Sequence, residues 1–270
     1  MLEMPPIEAY KNFMIDFTRG LETHHPDVCF YHYGSGCRGE WSPEKGSDVD
    51  GGLILDEGVR TDKSKVLDIS RMLRDCHRKN PIPLQLNLND RQTVVDGRFL
   101  SYTRDYLDHF ERESEIVCGP DFLGEAKGFD YKSGPLYSAA FNLRKLRNRL
   151  LSLYDTLENG PHEFEENLLT SIGHAVKFPK KLIWLRGRDD IVTSFPESLK
   201  VLREDVLPSF DVSLLEKLNS FRNIPLLNQL FKADLETCVQ LYCQSCEAVE
   251  ELVGAYIERY PEVSDRELRG

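Results

Sequence analysis

The sequence lacks three features that would each indicate a particular class of protein. No apolar run approaches the roughly 20 residues of a membrane-spanning helix. The N-terminal segment has no basic stretch followed by an apolar one, so we expect no signal peptide. The 7 cysteines show no disulfide-like spacing over 270 residues. A cytoplasmic protein that contacts no membrane is the expectation.

Positive charge is also scarce. The chain has 34 Lys and Arg against 45 Asp and Glu, which gives a formal net charge of −11. Nucleic-acid binding needs clustered Lys and Arg, so this balance argues against a nucleic-acid partner. It is compatible with cationic small molecules or basic protein surfaces, and homodimer formation stays open. The composition, 40% hydrophobic and 29% charged, is that of a globular protein with a substantial core.

Hydrophobic periodicity divides the chain into two parts. The first part mixes strand and helix patterns, with strands predicted over 27–34, 49–55, 81–90 and 114–119 and helices over 6–23, 61–80 and 97–110. The second part shows only helical patterns, over 136–158, 162–185, 195–206, 212–222 and 233–259. The Gly- and Asp-rich segment 119–135 separates them. These patterns predict an α+β domain over 1–130, followed by an all-α helical bundle over 131–270.

Two neighbouring motifs carry the chemistry of the first part. Gly34, Ser35 and Gly36 follow a predicted strand, and glycine allows a tight turn whose free N–H groups can hold phosphate oxygens. Asp48 and Asp50 begin the next strand, where alternation places both carboxylates on one side. Such carboxylates repel each other unless a cation lies between them, and Mg²⁺ commonly binds one or two carboxylates together with substrate phosphates.

Taken together, the strand, the Gly-Ser turn, a spacer of twelve residues, Ser-Asp-Val-Asp and an apolar strand resemble the nucleotidyltransferase superfamily. That superfamily includes polymerase-beta-like, aminoglycoside and minimal nucleotidyltransferases. The resemblance implies a small mixed β-sheet with flanking helices. It also implies Mg²⁺-dependent transfer of a nucleoside monophosphate from a nucleoside triphosphate, such as ATP, to a hydroxyl, with release of pyrophosphate. By the same resemblance, Gly34 and Ser35 hold the triphosphate, and Asp48 and Asp50 hold two Mg²⁺ ions.

The family usually adds a third carboxylate on a neighbouring strand, and this sequence departs from that pattern. The polar face of the strand over 81–90 carries only neutral amides, Gln85, Asn87 and Asn89. Asp90 is acidic but one residue out of register, and a slip of one residue reverses the face. Three alternatives stay open: Asp90 reaches the site through a strand end or bulge, an acid of the helical part serves instead (Glu163, Glu165 or Glu166), or the domain binds nucleotide without catalysis.

Basic residues near the Gly-Ser turn are candidates for triphosphate contacts. Arg38 and Lys45 lie in the spacer, where a solvated loop is the alternative interpretation. In related two-domain enzymes a lysine of the helical domain closes over the phosphates, and by resemblance Lys145 takes that role. The alternative is that Lys145 belongs to a run of charged residues on the protein surface.

The acceptor is left undecided by the sequence. A hydroxylated small molecule, including an aminoglycoside-like cation, is favoured by the acidic balance and the attached helical part. A protein hydroxyl that receives AMP is the second option. A regulatory protein that binds nucleotide without transferring it is the third, because the third carboxylate is not evident.

Overall fold

A computed structural model gives the architecture of the chain. It describes residues 5–34, 36–37, 41, 47–100, 102, 107, 113–128, 134–188, 194–222, 229–230, 234–264 and 267. Within this part of the chain the fold is α+β, as the sequence predicts.

A four-stranded mixed sheet organises the first part. Its strands are β1 (Val28–Tyr33), β2 (Val49–Leu55), β3 (Leu84–Asp90) and β4 (Ser114–Cys118). Their order across the sheet is β3-β2-β1-β4, with β2 parallel to β3 and β1 antiparallel to both β2 and β4. β2, which begins with the Asp-x-Asp motif, is therefore an inner strand, and β3 forms one edge.

Helices of the first part pack where their apolar faces predict. α1 (Ile7–His24) and α2 (Lys63–Lys79) bury apolar stripes against one face of the sheet. α2 begins after Asp62, whose carboxylate accepts a hydrogen bond of 2.8 Å from the Ser64 N–H and so satisfies a free donor of the first turn.

All the regular secondary structure in the described residues of the second part is helical. Its helices are α4 (Gly134–Leu151), α5 (Leu153–Asn159), α6 (Pro161–Leu185), α7 (Phe195–Val201), α8 (Ser213–Ser220) and α9 (Leu235–Arg259). The helix predicted over 136–158 is broken at Ser152 into α4 and α5, and the one predicted over 195–206 ends in a π-helical turn, Leu202–Val206. The other helices agree with the prediction to within a few residues.

In the described portion of the helix predicted over 97–110, residues 97–100 and 102 are not helical, whereas Leu107 is. The sequence did not predict α3 (Arg91–Asp96), which ends at Gly97 in the left-handed conformation, φ 82°. Residues 101, 103–106 and 108–112 lie outside the described residues. Asp90 begins α3, because its carboxylate accepts a hydrogen bond of 2.7 Å from the Thr93 N–H.

The two predicted parts share one hydrophobic core. Buried side chains of α1, α2 and the sheet are continuous with those of α4, α6 and α9. α4 lies along the edge strand β3, and Asn148 of α4 accepts a hydrogen bond of 3.0 Å from the Leu88 N–H. The predicted boundary at 130 falls in 129–133, outside the described residues. In the described part of the chain, no helix combines the length and hydrophobicity needed to cross a membrane.

Candidate functional site

Asp48 and Asp50 lie together at the start of β2, as alternation along a strand predicts. Asp50 is paired with Tyr33 of β1 on one side and with Gln85 of β3 on the other. Both aspartates are half-buried. Burial, with the charge of Asp48 and a hydrogen bond to it, raises the pKa of Asp50 to about 6. Two neighbouring half-buried carboxylates, of which Asp48 disfavours the ionisation of Asp50, form a pair that a divalent cation would stabilise.

The glycine turn after β1 approaches this pair directly. Gly34 has φ 79°, a conformation that favours glycine. Its N–H donates to the Glu113 carbonyl at 3.2 Å, which holds the turn against the segment before β4. A Cβ atom at Gly34 would lie 3.6 Å from Asp50 Oδ2. The structure therefore brings the turn and the carboxylate into contact distance, with a hydrogen in the place of a side chain.

Aromatic packing supports the segment that leads into the pair. The Tyr10 hydroxyl of α1 donates to the Ser47 carbonyl at 2.7 Å, next to Asp48. Trp41 stacks between Tyr10 and His32, with ring centroids 5.7 and 6.0 Å away. These contacts hold Trp41 against α1 and β1.

Close backbone approach explains the glycines that follow Asp50. A Cβ atom at Gly52 would lie 2.3 Å from the Tyr31 hydroxyl oxygen and 2.8 Å from the Asn87 carbonyl oxygen. The Tyr31 ring fills that space and forms a 3.2 Å hydrogen-bonded pair with Tyr102. Glycine at position 52 thus lets a tyrosine lie flat across β2, beside the aspartates.

Asp90 is far from the pair. It is five residues beyond Gln85 on β3, or about 16 Å, and it projects from the opposite face of the sheet. Its carboxylate is fully buried and forms a 2.7 Å ion pair with Arg147 of α4. The strand neither ends early nor bulges, because β2 and β3 stay in continuous register to Asp90. This geometry rules out the first of the three alternatives, that Asp90 reaches the site through a strand end or bulge.

Asp90 belongs instead to a buried charge network between the two parts, made of Asp90, Arg147, Glu250, Lys63 and Thr61. Arg147 forms a 2.9 Å ion pair with Glu250 of α9 and donates to the Val59 carbonyl at 2.7 Å. Glu250 also pairs with Lys63 and accepts a 3.1 Å hydrogen bond from the Thr61 N–H. Nothing in the local sequence pattern of α4 indicates that Arg147 is completely buried.

The amides of β3 occupy the face that carries Asp50. Gln85 is exposed beside Asp50, whereas Asn87 and Asn89 are buried. Asn87 accepts a hydrogen bond of 2.7 Å from the Asn148 side chain. The alternation of Leu and amide residues in β3 predicts a strand with one buried face. From Leu86 onward the strand is instead buried on both faces. The residue of β3 that lies beside Asp50 is therefore an exposed amide, Gln85, and not a carboxylate.

A cleft of about 390 Å³ lies between the edge of β3 and α4. Gln85 and Asn87 line one wall, and Lys145 and other basic residues of α4 line the facing wall. Lys145 therefore lies across the cleft from Gln85, the residue of β3 that is paired with Asp50. The acids Glu163, Glu165 and Glu166 of α6 are not among the residues that line it.

The remaining predicted residues, Ser35, Arg38 and Lys45, lie outside the described residues. Among the residues that are described, no group of three or more His, Cys, Asp or Glu side chains is arranged to hold a metal ion. The candidate donor set is therefore the pair Asp48 and Asp50, with substrate oxygens as the further ligands that Mg²⁺ commonly uses.

No family model matches the sequence, and no curated protein shows significant similarity to it. The nucleotidyltransferase resemblance therefore depends on the motif residues and on their arrangement around Gly34, Asp48 and Asp50.

Proposed function

We propose that the protein is a Mg²⁺-dependent nucleotidyltransferase that transfers a nucleoside monophosphate to a hydroxyl of a small molecule. The observation that carries the proposal is the contact between a left-handed glycine turn and a pair of half-buried carboxylates, Asp48 and Asp50. An isolated glycine turn or an isolated Asp-x-Asp would be weak support. Here the two lie side by side at one end of the inner strands β1 and β2, where together they can bind a phosphate and its Mg²⁺ ion.

The donor atoms fit a magnesium nucleotide. Asp48 and Asp50 supply the hard oxygen ligands, and Mg²⁺ bound to them would supply positive charge to the triphosphate and the acceptor oxygen. Gly34 leaves space next to Asp50 that a side chain would occupy, so phosphate oxygens can approach the backbone. The pKa of Asp50 is raised first by burial and then by the charge of Asp48, and a bound cation would offset both effects.

The proposed reaction forms a bond between the acceptor oxygen and the α-phosphorus and breaks the bond from that phosphorus to the β-phosphate oxygen. Pyrophosphate leaves with the electron pair of the broken bond. The hydroxyl proton is lost to solvent water, because the Gln85 amide cannot accept it and Asp90 is on the other face of the sheet. The role of this chain is to position the two reactants and to hold charge at the site.

Replacement of either aspartate by asparagine tests the assignment. Asp48→Asn and Asp50→Asn each retain the shape of the side chain and remove a metal ligand. We expect pyrophosphate release from ATP, GTP, CTP or UTP with Mg²⁺ and a panel of polyols to fall by about 100-fold or more. The matched control is Asp68→Asn, at an exposed acid of α2 that pairs with Arg71 on the surface. Wild-type turnover in either site variant would contradict the proposal.

Gln85 favours a second candidate, a protein that binds nucleotide and does not transfer it. An amide beside Asp50 can contact a metal weakly but cannot act as a general base. The discriminating measurement compares Mg²⁺·ATP binding by calorimetry with pyrophosphate release in the same preparation. Binding that is lost in Asp50→Asn, with no pyrophosphate from any nucleotide and acceptor, would select this candidate.

A further inference from the structure

Basic residues gather on the helical wall of the cleft although the chain as a whole is acidic. Two neighbouring helices, α4 and α6, contribute them. We call the set the basic cluster: Arg144, Lys145, Arg149, Lys177 and Lys181. Three of its members line the cleft, Arg144, Lys145 and Arg149.

These charges reinforce one another rather than being neutralised. In the described residues, no Asp or Glu lies within ion-pair distance of any member of the basic cluster. Burial, followed by Arg149, Lys181, Lys145 and Lys177, lowers the pKa of His174 to about 4. The pKa of Lys181 is lowered by burial and by Lys177. The acid that lines the cleft, Asp155, is already hydrogen-bonded to His77 at 2.7 Å.

Two polar atoms at the centre of this region have no partner. Arg149 Nη1 and His174 Nδ1 are both buried and form no hydrogen bond. A buried guanidinium N–H without an acceptor is unfavourable unless a ligand or water supplies one. Arg149 also lines the cleft, so its side chain is part of the wall of an existing cavity.

The cleft and the glycine turn lie on opposite sides of the aspartate pair. β2, which carries Asp50, is between β1 and β3 in the sheet. Gly34 follows β1, whereas the cleft begins beyond Gln85 on β3. Strands are spaced by about 4.8 Å, so the two regions are roughly 10 Å apart across the pair. A displacement at phosphorus needs the leaving and attacking groups on opposite sides, which makes the cleft the place for the acceptor.

We propose that the acceptor is an anionic small molecule, a phosphate-bearing polyol, whose phosphate is bound by the basic cluster while its hydroxyl faces Asp50. This inference rests on the proposed function and names the substrate class for it. It replaces the aminoglycoside-like cation that the net charge favours, because a cation would be repelled by the wall of the cleft. Net charge describes the whole surface, whereas the ligand meets only the local charges.

Three sugars of similar size and hydroxyl content test the charge of the acceptor. Glucose 6-phosphate is an anion, glucose is neutral and glucosamine is a cation. We expect calorimetry without nucleotide or Mg²⁺ to show glucose 6-phosphate binding at least 10-fold more tightly than the other two. Lys145→Gln and Arg149→Gln should each reduce that binding at least 5-fold. Lys145 is exposed, so its replacement keeps the test valid if Arg149→Gln fails to fold. Lys217→Gln, at an exposed lysine of α8, is the matched control and should bind like the wild type.

The outcome for the acceptor can be separated from the outcome for catalysis. Binding of glucose 6-phosphate should persist in Asp48→Asn, because that residue is outside the cleft. If glucose 6-phosphate binding depends on Lys145 but no nucleotide gives pyrophosphate release, the anion site is supported and the proposed nucleotidyl transfer is contradicted. Equal binding of the three sugars, preference for glucosamine, tighter binding of a single-stranded RNA oligonucleotide, or unchanged binding in Lys145→Gln would each overturn the inference.

Discussion

Removal of Arg147 is the sharpest test of how the two parts of the chain are joined. Its guanidinium is buried, and it forms ion pairs of 2.7 Å with Asp90 and 2.9 Å with Glu250. Arg147→Met keeps most of the volume of the side chain and removes its charge and donors. Both carboxylates then stay buried without their shared partner.

The expected loss of stability can be worked out from the partners that are left. Breaking a buried ion pair by removal of one partner costs about 3–5 kcal/mol. Asp90 keeps its hydrogen bonds from Thr93, and Glu250 keeps those from Lys63 and Thr61, which compensate in part. We therefore expect the lower end, about 3 kcal/mol, equivalent to about 6–12 °C in the unfolding midpoint for a chain of this size.

Urea unfolding followed by circular dichroism measures this loss. The control is Arg60→Met, which removes two ion pairs between the segment before α2 and α9, to Glu247 and Glu251. The Arg60 side chain is 64% exposed, so its loss should cost less than about 1 kcal/mol. Adding Asp90→Asn to Arg147→Met should cost little or restore stability, because within the described residues Asp90 has no other ion-pair partner and the second change neutralises its buried charge. If Arg147→Met unfolds within 1 kcal/mol of Arg60→Met, roughly the expected cost of an exposed pair, the reasoning about buried charge is refuted.

Two further predictions concern a close contact and a titrating pair. Gly52→Ala should lower the free energy of unfolding by about 1–3 kcal/mol through overpacking. Gly173→Ala, where no atom lies within 4 Å of the added Cβ, should raise it by about 0.5–1 kcal/mol. Similar free energies of unfolding for the two variants in urea would contradict this account. The pKa of His77 is raised by its hydrogen bond to Asp155, so the pair stabilises the fold below the unfolded-state pKa and the gain is lost as pH rises through the folded-state pKa. Between about pH 6 and 8, the free energy of unfolding of the wild type should therefore fall by about 0.5–1 kcal/mol relative to that of His77→Asn. Parallel plots of unfolding free energy against pH for the two proteins would contradict this prediction.

Local patterns were sufficient for most elements of the fold. The stripe of α2, with Val66, Ile69, Leu73 and Cys76, is buried as its spacing predicts, and the Asp62 cap marks its start. α3 was missed because six residues are too few for a periodic signal. The cue was present at Asp90, since Asp is a favoured N-cap residue whose carboxylate accepts a hydrogen bond from an N–H of the first turn, here that of Thr93.

The site was predictable where it depends on neighbours along the chain and not where it depends on packing. Alternation places Asp48 and Asp50 on one side of β2, and the glycine turn precedes them by a short loop, so both follow from the sequence. The position of Asp90 depends on strict register between parallel strands and on Arg147, which arrives from a helix more than fifty residues away. The cleft could not be predicted, because it forms between β3 and α4, whose relative placement is set by the shared core.

The buried charge network also constrains how the protein can move. Sliding α4 away from β3 would separate Arg147 from Asp90 and admit water to charges that are now paired in the interior. The cleft should therefore keep nearly the same width before and after a ligand enters, and hinge-like opening of the two parts is disfavoured. Recognition would then depend on preformed shape and charge, and adjustments during turnover would be confined to side chains and surface loops.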